Sequence, residues 1–144
     1  METTPMGRVT VSATIENLTD VLNARSGSVK PEDIRRVRVD DALVDTGAKL
    51  LSLPGRLIDA LGLVHLETRR ARTNAGIVDA DIYQAVCLAI EGRRCTVDVA
   101  SVPDDCPVLV GYVPLELLDF VVDPVGQTLI PNPKDGGQQV LDLF

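Results

Sequence analysis

Apolar and polar residues alternate along Arg8-Val9-Thr10-Val11-Ser12-Ala13-Thr14-Ile15 in the manner of a half-buried strand. Ile34 to Val44 brings a second such run, with Val37, Val39 and Leu43 on one face, and the two together predict a hairpin. The stretch between them, Asn17 to Pro31, contains Asn23, Gly27, Ser28 and Pro31 and reads as a long irregular connection with one helical turn near Thr19 to Ala24. Pro54 before Arg56-Leu57-Ile58-Asp59-Ala60-Leu61 and Gly62 just after it predict a short helix of about two turns.

From Glu67 the pattern is extended again, with a small, polar stretch from Ala71 to Ala80 around Asn74-Ala75-Gly76. Ile82 to Ile90 and Cys95 to Val102 come next as strands joined by a turn at Glu91-Gly92-Arg93-Arg94. Pro107 to Gly111 is a buried strand stopped by glycine, and Pro114 to Leu118 restarts as a brief helix. Phe120 to Asp123 and Gln127 to Ile130 flank Pro124-Val125-Gly126 as a last hairpin. The expectation is an all-β domain with two short helices over residues 1–131, then a C-terminal tail over residues 132–144 that is loose except at Val140-Leu141-Asp142-Leu143-Phe144.

Length and charge narrow the classes. A chain of 144 residues with 45% hydrophobic content has room for one domain with its own core. Fourteen Lys and Arg against twenty-one Asp and Glu give a net charge of -7, which argues against nucleic acid or an anionic membrane as the main partner. No apolar run reaches the ~18 residues of a membrane span, and Met1-Glu2-Thr3-Thr4-Pro5 lacks the basic start and apolar stretch of a signal peptide, so a cytoplasmic location is expected. Cys87, Cys95 and Cys106 are odd in number and read as small buried hydrophobes; neither they nor the single histidine, His65, fall in a zinc-like spacing. No metal and no cofactor are expected.

The candidate chemistry lies at the end of the second strand. Ala42-Leu43-Val44-Asp45-Thr46-Gly47-Ala48 runs an apolar strand into an acid, a hydroxyl and two small residues. A carboxylate at the end of a buried strand is costly unless it is held by donors. Gly47 lets the chain turn so that backbone N–H groups approach the acid, and Thr46 can bond a neighbouring group. An ordinary strand-ending turn has the same composition, so the tripeptide alone decides nothing.

Context decides more. The run Leu43-Val44-Asp45-Thr46-Gly47-Ala48 resembles the signature of the retropepsin-like (retroviral-type) aspartic proteases, an apolar pair followed by Asp, Thr or Ser, Gly, and Ala or Ser. The likeness continues through Leu51-Ser52-Leu53-Pro54 and Leu57 to Leu63, as in small single-domain bacterial members. The family's second signature, an apolar pair followed by glycine that lies close under the catalytic loop, has its counterpart in Leu109-Val110-Gly111, and residues 115–124 are similar to the family's C-terminal helix and following strand. Two signatures in order, across roughly residues 8 to 131, are more specific than either alone.

The resemblance implies an acid-protease closed barrel, one lobe per chain, with Asp45 as the catalytic residue, Thr46, Gly47 and Ala48 as its loop, and a flap around Thr73, Asn74, Ala75, Gly76 and Ile77. Asn74 and Gly76 both tolerate the positive φ of a tight hairpin tip. One such motif per chain implies a homodimer in which two Asp45 side chains hydrolyse a bond in a peptide or protein substrate. The alternative from another class is a non-catalytic dimeric module of the same fold that binds an extended peptide by strand addition.

This sequence departs from the retroviral pattern at Lys49, where those enzymes have an acid, and at Tyr112, where they have an arginine, so their substrate and dimer contacts at these positions do not carry over. Asp40-Asp41 reads as a solvated strand end, Asp104-Asp105 and Asp123 as turn formers, His65 as a surface or interface residue, and Arg69-Arg70 with Arg72 as a solvated strand face.

Overall fold

A computed structural model describes residues 8–144. Residues 1–7, with the expected start of the domain and the reading of its first five residues, lie outside the described part. Among the described residues nine strands form: β1 (Val9–Asn17), β2 (Arg36–Val44), β3 (Leu51–Pro54), β4 (His65–Thr73), β5 (Gly76–Ile90), β6 (Arg93–Val102), β7 (Leu109–Val110), β8 (Phe120–Asp123) and β9 (Thr128–Pro131). Three helices accompany them: α1 (Leu18–Arg25), α2 (Gly55–Leu61) and α3 (Tyr112–Leu118). The protein is mostly β, as the alternation indicated, but with three helices in place of two.

Seven strands pair in the order β1-β2-β7-β3-β6-β5-β4, and β1 also pairs with β5 through Thr14 to Asn17. Six strands therefore close into a ring, β1-β2-β7-β3-β6-β5, from which β4 extends as an outer arm. Closure leaves the ring few free edges, and the outer edge of β4 carries Arg69, Arg70 and Arg72, charges that discourage pairing with another chain. A separate hairpin, β8 with β9, packs beside the ring. Ile15, Leu51, Leu53, Leu61, Leu88, Ile90, Val99, Val110 and Leu118 fill the interior. Each of these side chains contributes about 1.5–3 kcal/mol by burial, so the ring and its core form together.

The extra helix, α1, has no apolar stripe, since only Asp20 and Val21 are buried. Polar contacts hold it instead. The Asn17 side-chain oxygen accepts from the N–H of Asp20 at 2.9 Å and its amide donates to the Leu61 carbonyl at 2.8 Å. The Asp20 carboxylate accepts from the N–H, Nε and Nη2 of Arg35 at 2.8–2.9 Å, and this clasp holds its carboxyl below the ordinary range. Helix α2 stops at Gly62 as expected, and its opening turn is capped from a distance, Asp104 Oδ1 accepting from the N–H of Arg56 at 2.9 Å.

The tail is less loose than the sequence suggested. Pro133–Asp135 forms a 3-10 turn, Arg93 donates to the Gly137 carbonyl at 2.7 Å, and Gln139 donates to the carbonyls of Leu117 and Arg94 at 3.1 and 3.3 Å. Beyond it Leu141, Leu143 and Phe144 are exposed. No helix among the described residues is long and apolar enough to cross a membrane.

Candidate active site

Strand β2 carries Asp45, and it does so with a change of phase. Val11 faces Ala42 across the β1–β2 ladder while Ala13 faces Val39, so Asp40 and Asp41 together oppose Ser12. This is a β-bulge, one extra residue in β2. Val37 and Val39 point inward before it and Ala42 and Val44 after it, so Leu43 does not share a face with Val37 and Val39 as the simple alternation implied. Without the phase change, alternation from Val39 would send Leu43 and Asp45 into the core. With it, Val44 fills that place and Asp45 sits half-buried at the strand's end.

The loop after Asp45 is fixed by backbone bonds. Gly47 N–H donates to Asp45 Oδ1 at 3.0 Å, Ala48 N–H donates to the Asp45 carbonyl at 3.1 Å, and Asp45 N–H donates to the Val110 carbonyl at 2.9 Å. The first of these places a donor directly on the carboxylate. Thr46 is exposed, and its hydroxyl has no hydrogen-bond partner among the described residues, so the bracing expected of it is not made within a single chain. Cβ of a residue at position 47 would stand 3.2 Å from Asp45 Oδ1, which crowds but does not forbid a side chain there.

The second signature meets the first. Leu109-Val110 forms β7, which runs between β2 and β3, parallel to β2 and antiparallel to β3. Leu43 N–H donates to Val108 and Gly111 N–H donates to Leu50, at 2.8 and 2.9 Å. Tyr112 and Val113 then donate to the carbonyls of Ala48 and Lys49 at 2.9 and 3.0 Å. The start of α3 is thus bonded to the underside of the aspartate loop. Gly111 is required by this crossing: a Cβ there would lie 2.4 Å from the Leu50 carbonyl oxygen and 2.6 Å from that of Ala48. The structure brings together Asp45, Gly47, Ala48, Leu109, Val110 and Gly111. Lys49 and Tyr112, where the sequence leaves the retroviral pattern, both have exposed side chains.

Thr73, Asn74, Ala75, Gly76 and Ile77 fall at the tip of the β4–β5 hairpin, as expected of them. Thr73 Oγ1 donates to the Gly76 carbonyl at 2.9 Å and accepts from the Ala75 N–H at 3.1 Å. Of the two, only Gly76, at φ +104°, takes positive φ; Asn74 does not. The arm has almost no core of its own. Every β4 residue but Ala71 is exposed, and Ile77 and Val78 are 49% and 42% exposed.

Sequence reasoning missed the cluster at the arm's base. His65 Nε2 lies 3.1 Å from Asp81 Oδ1, Thr68 Oγ1 donates to the same oxygen at 2.7 Å, and the His65 ring stands edge-on to Tyr83 at 5.3 Å. The Thr68 hydroxyl, then His65, hold the Asp81 carboxyl below its usual range. The register could have found it, since His65 and Thr68 face Tyr83 and Asp81 across the hairpin. Of the cysteines, Cys87 is buried and Cys95 and Cys106 are partly so; burial, with Cys87 nearby, pushes the Cys95 thiol up to about 11, which disfavours a nucleophilic thiolate. Among the described residues no three His, Cys, Asp or Glu side chains converge as a metal site. A scan of models of known protein families finds no match to this chain, and no curated protein matches it.

Proposed function

We propose that the chain is one half of a retropepsin-like aspartic endopeptidase, a cytoplasmic protease whose closed barrel is completed as an active site only by a second copy. The observation that carries this reading is Asp45, half-buried on a loop that donates Gly47 N–H to its carboxylate and rests on the Gly111 crossing. The Gly47 bond alone is that of an Asx turn, as at Asp123 and Val125; what supports catalysis is that this turn ends a core strand and is bonded from beneath by residues 110–113, which holds the carboxylate in one orientation.

Peptide hydrolysis by water needs a base to activate the water and an acid to protonate the scissile group. In the chain described, one Asp-Thr-Gly loop supplies one carboxylate, and a two-fold axis beside it supplies the other. Two carboxyls ~3 Å apart, as in aspartic proteases generally, share a single proton, so one is the base while the other is the acid. The base takes a proton from a water lying between them, and that water attacks the carbonyl carbon. The acid gives its proton to the carbonyl oxygen. The tetrahedral species then collapses with protonation of the leaving nitrogen, and the dyad again holds one proton. The exposed β4–β5 arm, with Ile77 and Val78 bare near its tip, suits a cover over an extended peptide.

Replacing Asp45 tests the reading. Asp45→Asn is expected to abolish cleavage of a peptide library read by mass spectrometry while leaving fold and dimer intact, because the amide is nearly isosteric and relieves charge repulsion at the axis. Wild-type activity is expected to rise with roughly the square of protein concentration below the dimer dissociation constant. Excess Asp45→Asn mixed into wild type should poison it through heterodimers. Cleavage by the Asn variant, or constant specific activity in a preparation that sizes as monomer, would overturn the proposal.

A further inference from the structure

Among the described residues one buried side-chain oxygen lacks a hydrogen-bond partner, Oδ2 of Asp135. It lies where the C-terminal tail meets the end of α3. There Asp119, 6% exposed and left-handed at φ +60°, ends the helix. Its carboxylate joins the tail at two points: Oδ1 accepts from the Asn132 side-chain amide and Oδ2 from the Val140 N–H, both at 3.1 Å. Asp135 lies on the tail between these two anchor points, and the two carboxyls act on each other, Asp135 held up and Asp119 held down.

Two ionised carboxylates in contact repel, and leaving the buried oxygen of one without a donor adds a desolvation cost. No protein N–H or O–H reaches Asp135 Oδ2. The donor that resolves both problems is a proton on Asp135 itself, given to Asp119. The surrounding charges are consistent with that. Arg93 spends its guanidinium on the carbonyls of Leu118, Asp119 and Gly137, at 2.7–3.0 Å, and its charge favours ionised Asp119. Lys134 is bonded to Asp142 at 3.1 Å; the lysine favours ionised Asp135, whereas Asp142 and Asp119 oppose it. Glu116, which lines a surface groove with Asp119, Asn132 and Val140, bonds to neither acid.

We propose that the C-terminal tail is an acid-closed latch, in which one proton shared between Asp135 and Asp119 holds residues 132–140 against the end of α3 and its loss releases them. The pair has opposite signs. Asp135 is held above the ordinary carboxylate range, chiefly by Asp119 and then by burial, so its contribution is present at low pH and lost as pH rises through its folded value. Asp119 is held below that range, chiefly by Asp135, so its contribution is lost only as pH falls through its own depressed value. Between the two the pair carries one proton and the latch is closed. Helix α3, whose far end the latch grips, begins on the aspartate loop through Tyr112 and Val113, so the latch closes on the helix that braces the candidate site.

Nuclear magnetic resonance on the whole chain tests this without reference to activity. The Asp135 carboxyl carbon is expected to titrate above the ordinary carboxylate range, and the exchange protection of the Val140 amide, corrected for intrinsic rate, to fall toward that of an unstructured amide over the same interval. Asp135→Asn, whose amide donates to Asp119 at every pH, is expected to keep Val140 protected throughout. The Val99 amide in the core should stay protected in both proteins. An Asp135 that titrates like a free carboxyl, Val140 protection flat with pH in wild type, or a pH-dependent loss retained in the Asn variant would each overturn the latch.

Discussion

The aspartate loop and the β4–β5 arm are both turns in one sheet, yet they are held by opposite means. Around the loop, β7 lies between two strands and the backbone of residues 43–50 exchanges hydrogen bonds with residues 108–113 at several points. The arm is bonded to nothing but itself through most of its length, since β4 pairs only with β5. On the proposed function the carboxylate would draw on the first kind of support and the covering segment on the second. The arm, with little besides its own ladder to hold it, is expected to open more readily than the loop.

Glycine substitutions separate the two regions most sharply. Gly111→Ala drives a methyl into carbonyl oxygens of the aspartate loop, backbone atoms that cannot swing aside. The expected loss is about 3 kcal/mol or more, enough to leave the chain partly unfolded, as read by chemical denaturation. Gly76→Ala meets no atom within 4 Å and suffers only from its positive φ, so the expected loss is about 1–2 kcal/mol. Equal losses at the two positions would mean that the arm is packed as tightly as the loop and would remove the contrast.

Hydrogen exchange should give the same ranking by another route. The amides of Asp45, Gly111, Tyr112 and Val113 are expected to open only with global unfolding, and those at the tip, Ala75 to Val78, by local opening at far lower free energy.

Legibility in the sequence divides along the same line. The alternating strands and the turn at Glu91-Gly92 are legible because their side chains face a core and a solvent, and α2 is legible from Pro54 and Gly62. Strand β4 is legible only as an extended stretch from Glu67, its start and partner not, because nearly every position is exposed; it is a strand because β5 offers it a ladder. Helix α1 is legible only as a single turn near Thr19 to Ala24, its full length being held by Asn17 and by the Asp20–Arg35 clasp in place of an apolar face. The loop residues of the candidate site were legible as a motif. Their support was legible only through the resemblance, which puts Leu109-Val110-Gly111 close under the loop; the residues alone could not give it, since the contact of Gly111 with Ala48 and Leu50 joins segments about sixty residues apart in the sequence.

The bulge in β2 offers the smallest and most informative change. Simple alternation takes Val37 and Val39, passes over Asp40-Asp41, and continues the odd positions to Leu43. The ladder instead spends one residue, so that Ala42 and Val44 are the inward pair. Deleting Asp41 removes the extra residue without disturbing either set: Val37 and Val39 stay inward, and the alanine and valine beyond them now continue the same alternation. Val11 and Ala13 of β1 keep their partners, with Asp40 alone left opposite Ser12. Both aspartates are exposed, so no core contact is lost. The deletion is therefore expected to cost about 1 kcal/mol or less, a fall in Tm of roughly 2–5 °C, where deletion inside a regular strand would invert its faces and unfold the domain. Bulges beside active sites bend a strand and re-aim the side chains past the bend. Straightening this one moves Asp45 relative to the loop's support, so cleavage should fall far more than stability does. Calorimetry and the peptide assay on one preparation decide the matter. A deletion that unfolds the chain would show that the two aspartates hold the strand rather than aim it, and one that leaves both stability and cleavage unchanged would show that the bend has no bearing on where Asp45 points.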